Sequence, residues 1–193
     1  MSGFEIITIT FSFIVGLGMA QVLRSIAFVV REGGPYRLHW IPFAVAGVVV
    51  FFQVQFWFGL TVVNSLIEYW TWPVYGLMLL LAMVIFLAGA TVLPPPSHVG
   101  ERDLIEDFSD RGRISLLFIA IYLLGWIIVG IVFWRPEFWQ LIAVNGLWSA
   151  IALVAYRVKN EGQRNVIHVT LIVLTVLGAQ TVWTTPNLQM PMQ

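Results

Sequence analysis

Long apolar runs, separated by short breaks rich in proline, glycine and charge, organise the whole chain. A helix that crosses a bilayer needs about 20 consecutive, mainly apolar residues. Six runs meet that length, at 6–30, 41–63, 74–93, 114–134, 138–156 and 166–185. The breaks carry helix-ending chemistry: Gly33-Gly34-Pro35 follows the first run, Pro94-Pro95-Pro96 stops the third, Pro136 separates the fourth from the fifth, and Pro186 ends the sixth. Pro42 and Pro73 instead fall in the first turns of the second and third runs, where the missing N–H has no intrahelical partner to lose. None of the runs alternates in polarity as the strands of a membrane barrel do, so helices are the way to satisfy their backbone in lipid. The pattern predicts an all-α integral membrane six-helix bundle, one transmembrane domain over 1–193.

The charges between the runs give a direction. Arg31 and Arg37 follow the first run, Arg102, Arg111 and Arg113 the third, and Arg157, Lys159 and Arg164 the fifth, against Arg135 alone on the alternate side. The positive-inside rule then predicts both termini to be non-cytoplasmic. Tyr69, Trp70, Trp72, Trp134, Trp139 and Trp183 fall at the outer ends of the runs, and Tyr36, Trp40 and Tyr156 at the inner ends, as interfacial aromatics do. Met1-Ser2-Gly3-Phe4-Glu5 carries an acid where a signal peptide carries cations, so the first run is expected to stay.

Polar residues inside the runs are few enough to name. Ser12, Gly16, Ala20 and Arg24 recur every fourth residue of the first run, which makes a small-xxx-small ridge, expected to pack against another helix, leading down to one cation. Arg24 lies seven residues above Arg31 and reads as snorkelling, as ion-paired, or as an anion or gating contact. Gln53 and Gln55 sit mid-way along the second run and point to nearly opposite helix faces; each reads as interhelical glue or as a pore-lining amide. Asn145 invites the same two readings and forms a polar i, i+4 pair with Ser149. The third run has no polar side chain over 76–90 and is expected to face lipid. In the cytoplasmic loop 94–113, Leu104, Ile105 and Phe108 share a helical face opposed by acids, which predicts a short amphipathic helix at the inner membrane surface and a protein partner there.

Composition removes whole classes of function. Of 193 residues, 59% are hydrophobic and 10% charged, with zero net charge, so no nucleic-acid partner is expected. The absence of cysteine excludes disulfides, thiolate catalysis, Fe–S clusters and Cys-based zinc sites. No nucleophile elbow, HExxH or phosphate loop is present, so no enzyme and no catalytic residue is expected. His39 and His168, at the inner ends of the second and sixth runs, are of the type that ligates haem or a metal, but no spacing motif joins them, and no cofactor or metal is expected.

Phe4-Glu5, Ile14-Val15-Gly16-Leu17-Gly18, Gln21-Val22-Leu23 and, in the second run, Gln55-Phe56-Trp57 resemble the corresponding stretches of a group of small bacterial multi-span membrane proteins whose first helix carries an apolar-Gly-Leu-Gly sequence. The resemblance covers the first third of the chain. It implies a six-span protein of the bacterial cytoplasmic (inner) membrane and carries over no activity, cofactor or functional residue. Buried polar residues in an otherwise apolar chain point to a small homo-oligomeric channel or transporter for an ion or small solute. The competing expectation is a non-transporting sensor, scaffold or accessory subunit of a membrane complex.

Overall fold

A computed structural model of the chain describes residues 3–32, 39–67, 69–95, 103–133, 139–158, 165, 169–173 and 175. Every regular element among them is helical: α1 (Gly3–Glu32), α2 (Trp40–Leu66), α3 (Trp72–Thr91), the single turn α4 (Leu104–Asp107) continuing into a π-helical turn (Phe108–Gly112), α5 (Ile114–Phe133) and α6 (Trp139–Arg157). Phe4–Arg31, Trp40–Leu66, Trp72–Thr91 and Ile114–Phe133 are long and apolar enough to cross a membrane, and α6 carries a shorter apolar stretch, Ile142–Arg157. These are the helices of an integral membrane protein. Most of the sixth run, with His168, lies outside the described residues.

The helix starts follow from local chemistry. The Ile41 amide donates to His39 Nδ1 at 3.4 Å, so His39 caps α2. Extended Thr71 precedes α3, its carbonyl accepts from the Tyr75 amide at 2.9 Å, and Pro73 occupies the first turn. At the far end of the 94–113 loop, the Arg113 amide reaches back five residues to the Phe108 carbonyl at 2.7 Å, which closes the π turn.

α1, α3, α5 and α6 pack in a row, each on the next, and α2 covers one side of it, touching α1, α3 and α5. The third run is therefore the hub of the described bundle, contrary to the lipid-facing position expected of it. Val74, Met78, Leu81, Ala82, Val84, Ile85, Ala88 and Gly89 are buried, while Leu80, Met83 and Leu87 keep one face exposed. Lipid tails are as apolar as leucine, so the interior of a membrane bundle needs no polar signature to be an interior.

The buried seam of α1 runs through Phe11, Val15, Gly18, Val22, Ser25 and Val29, alternately four and three residues apart. That is the a/d spacing of a helix packing along its length. The expected ridge is elsewhere: Gly16 and Ala20 are exposed, half-buried Ser12 donates its hydroxyl back to the Thr8 carbonyl, and a Cβ added at Gly16 would meet no atom within 4 Å. Ser12, Gly16 and Ala20 thus form no contact ridge with the other described helices.

Rings fill the space that α2 shares with the row. Phe11 meets Phe56 edge-on with centroids 5.8 Å apart, Phe56 meets Trp126 at 6.4 Å, Trp126 meets Tyr122 at 6.3 Å, and Tyr122 meets Phe52 at 5.8 Å. Phe52 continues to Trp148 of α6 at 5.9 Å. Glycines admit the bulky members: a Cβ on Gly59 would lie 2.2 Å from the Trp126 ring, and one on Gly125 would lie 2.2 Å from Leu81 Cδ2.

The two ends of the bundle differ. At the tryptophan-bearing end, Phe4 stacks on Trp70 at 6.2 Å, the Trp70 indole donates to Asn64 Oδ1 at 3.0 Å, and Tyr69, Trp72 and Trp139 are exposed. At the basic end, the Arg113 guanidinium lies 5.7 Å from the Tyr156 ring centroid. There α4 and its π turn bury Leu104 and Phe108 in the same core as Val92 and Leu93, with α4 against α2. This short segment leaves Glu106 and Asp110 exposed and turns Leu104 and Phe108 onto the protein itself.

Candidate functional site

The polar residue with the most unusual surroundings is Gln53. It stands mid-way along α2, it is 0% exposed, and neither Oε1 nor Nε2 has a hydrogen-bond partner among the described residues. Its amide is seated by two glycines from different helices. A Cβ on Gly18 of α1 would lie 2.6 Å from Gln53 Nε2, and one on Gly89 of α3 would lie 3.0 Å from the same nitrogen. The Gly89 position is also 3.0 Å from Val22 Cγ2 and 3.3 Å from the Gly18 carbonyl oxygen, so α1 and α3 touch almost backbone to backbone beneath the amide. An apolar side chain would fill this junction without penalty. A buried amide left unpaired costs about 1–3 kcal/mol.

Further polar contacts stitch the other helices. The Tyr122 hydroxyl donates to the Phe52 carbonyl at 3.1 Å, one residue from Gln53. The Ser149 hydroxyl donates to the Ala120 carbonyl at 3.2 Å, which ties α6 to α5. Asn145, one turn from Ser149, is buried at 2% exposure. Gln55 is half-buried, with a buried and unpaired Oε1. Gln53 and Asn145 therefore both face the interior of their own chain.

Arg24 does not join Gln53. It is on the exposed face of α1, whereas Gln53 meets the buried face at Gly18. Its level follows from its neighbours. Val22 lies against Gly89, so Arg24, two residues on, is level with Thr91, the last residue of α3. Residues 4–23 of α1 span about 30 Å at 1.5 Å per residue, the thickness of a bilayer core. Residues 24–32 then continue about 12 Å past the end of α3. Arg24 therefore marks the level on α1 at which its neighbour α3 ends.

His39 is used as a helix cap, and among the described residues no group of three His, Cys, Asp or Glu side chains is placed to hold a metal. Three members of the site went unnoticed in the sequence: Gly18, Gly89 and Tyr122. The heptad rhythm of Phe11, Val15, Gly18, Val22, Ser25 and Val29 would have favoured Gly18 over Gly16 as the contact glycine. No comparable signal marks Tyr122, whose hydroxyl becomes meaningful only beside α2.

Compared with protein-family models, with curated proteins and with solved structures, the chain matches none.

Proposed function

We propose that this membrane protein passes a small solute or ion between α1, α2 and α3, with Gln53 as the contact that recognises it, and that the described arrangement is the closed one. The observation that carries this reading is the doubly unpaired Gln53 amide, held where two glycines let helices slide or part with little side-chain interlock. A passing hydrogen-bonding solute would satisfy the amide, so parting the helices would be repaid by pairing it. The path lies inside one chain, because Gln53 faces Gly18 and Gly89 of its own chain. An assembly of copies would then serve stability rather than enclose a pore. In this reading all six apolar runs span a bacterial inner membrane, with the basic end in the cytoplasm, consistent with the loop charges.

The test is flux through purified protein in liposomes, for small inorganic ions and for small neutral solutes, with Gln53→Leu as the paired variant. Flux in the wild type that is lost in a folded Gln53→Leu protein supports the reading. Silence towards every solute, with Gln53→Leu changing only thermal stability, removes it. A second reading has its own observation: exposed Glu106, Asp110 and Arg111 on the packed α4 segment offer a fixed, charged surface for a partner in a membrane complex. Co-purification of a defined partner from native membrane, abolished by reversing the charge of Glu106 and Asp110, favours that reading instead.

A further inference from the structure

The outward face of α1 combines three properties. Ile6, Ile9, Phe13, Leu17 and Leu23 are exposed on it, so between its ends it offers an apolar surface that no other described helix covers, as a lipid-facing surface does. Gly16 and Ala20 are also exposed, and the space outside Gly16 is open to at least 4 Å from an added Cβ, which leaves a shallow trough flanked by Phe13 and Leu17. Below the trough stand Arg24 and Arg31, both exposed. Seven residues apart, they fall within about 20° of one another around the helix.

Their depth gives the pair a use. Arg24 is level with the end of α3, about 30 Å along the helix from Phe4, which is the depth expected of headgroups at the basic end of a bilayer core, and the extension of α1 carries Arg31 about 10 Å further. Helical side chains lean towards the helix N-terminus, so Arg31 leans back towards Arg24. Neither has an ion-pair partner among the described residues. A second copy packed on this face in the same membrane orientation would set Arg24 against Arg24, so like charge disfavours that occupant. An anion at headgroup level, attached to a chain that fits an apolar trough, complements all three properties.

We propose that this face of α1 is a binding site for an anionic phospholipid, its phosphate held by Arg24 and Arg31 and one acyl chain lying over Gly16 and Ala20. Guanidinium groups suit phosphate oxygens because their N–H fork can bond two oxygens at once. The site is independent of transport, since none of its residues belongs to the Gln53 junction.

The test is lipid titration of the purified full chain in detergent by native mass spectrometry, with phosphatidylglycerol against phosphatidylcholine. Four variants are compared: Arg24→Gln, Arg31→Gln, Gly16→Leu, and Arg157→Gln, which removes an exposed arginine at the same end from α6. Thermal melts show which variants are folded. The wild type should prefer phosphatidylglycerol. Arg24→Gln and Arg31→Gln should each weaken its binding about fivefold, the scale of one basic residue at an anionic surface. Gly16→Leu should weaken it with every charge retained, and Arg157→Gln should leave it unchanged. Equal binding of the two lipids overturns the site, as does a folded Arg24→Gln protein that binds like the wild type. Equal losses in Arg24→Gln and Arg157→Gln would assign the effect to diffuse surface charge and overturn it too.

Discussion

Gly16 and Gly18 are two residues apart on one helix, and the structure gives them opposite sensitivities to the same added methyl group. At Gly16 nothing lies within 4 Å of the new Cβ, so Gly16→Ala should stabilise the helix by about 0.5–1 kcal/mol through backbone entropy alone. At Gly18 the Cβ would lie 2.6 Å from Gln53 Nε2, 3.3 Å from Phe86 Cδ2 and 3.4 Å from Phe86 Cα. The amide is the movable member of that set, but Gly89 closes its other side, so relief requires Gln53 to leave its seat or α1 to shift. Overpacking of this kind costs about 1–3 kcal/mol. At about 2–4 °C per kcal/mol for a chain of this size, Gly18→Ala should lower Tm by about 2–12 °C, and Gly16→Ala should raise it slightly. Tryptophan fluorescence melts in detergent read both. Truncating Gln53 to alanine in the Gly18→Ala background removes the main clash, so most of the Gly18→Ala loss should disappear in the double variant. Equal effects of the two glycine substitutions, or a Gly18→Ala penalty unchanged by Gln53→Ala, would refute the three-helix junction.

Other consequences can be checked in the same preparations. Gln53→Met keeps the volume and removes the unpaired amide, so it should raise stability by about 1–3 kcal/mol, read as a higher Tm, while abolishing any flux that depends on the amide. Gly59→Ala drives a methyl group into the Trp126 ring and should cost about 1–3 kcal/mol, visible as a lower Tm and an altered near-ultraviolet circular dichroism spectrum. The chain has no cysteine, so single thiols can be placed without background. In liposomes, a membrane-impermeant maleimide added at the basic end should label Arg24→Cys and Arg31→Cys but not Leu17→Cys, which is exposed on the same face about 10 Å deeper. Labelling of Leu17→Cys as fast as Arg24→Cys would remove the bilayer level assigned to α1.

Helix positions were legible in the sequence because hydropathy and helix-breaking residues act locally. The first five apolar runs, at 6–30, 41–63, 74–93, 114–134 and 138–156, differ by at most three residues at either end from α1, α2, α3, α5 and α6. Leu104 and Phe108 likewise announced α4 and its buried face. Which face of a helix packs was legible only in part. On α1 the small-residue ridge at Ser12, Gly16 and Ala20 competed with a heptad seam through Gly18, and it is the seam that meets the other described helices. On α3, with no polar residue over 76–90, the sequence offers no contrast between lipid and neighbour. Gln53 stood out by chemistry, but its isolation from Arg24 depended on which face of α1 turns inward. That is a tertiary fact, and no local rule supplies it.

The close meeting of α1 with α3 bears on how the chain is made. Gly18 and Gln53 belong to the first two helices, yet the junction lacks one wall until Gly89 has been synthesised. At ribosomal speeds that interval lasts several seconds. Through it the nascent α1–α2 pair lacks the α3 wall of the junction, and the Gln53 amide is open on that side. A chain interrupted before α3 is complete therefore cannot close the junction, and the seat of the Gln53 amide is finished only when α3 packs on α1.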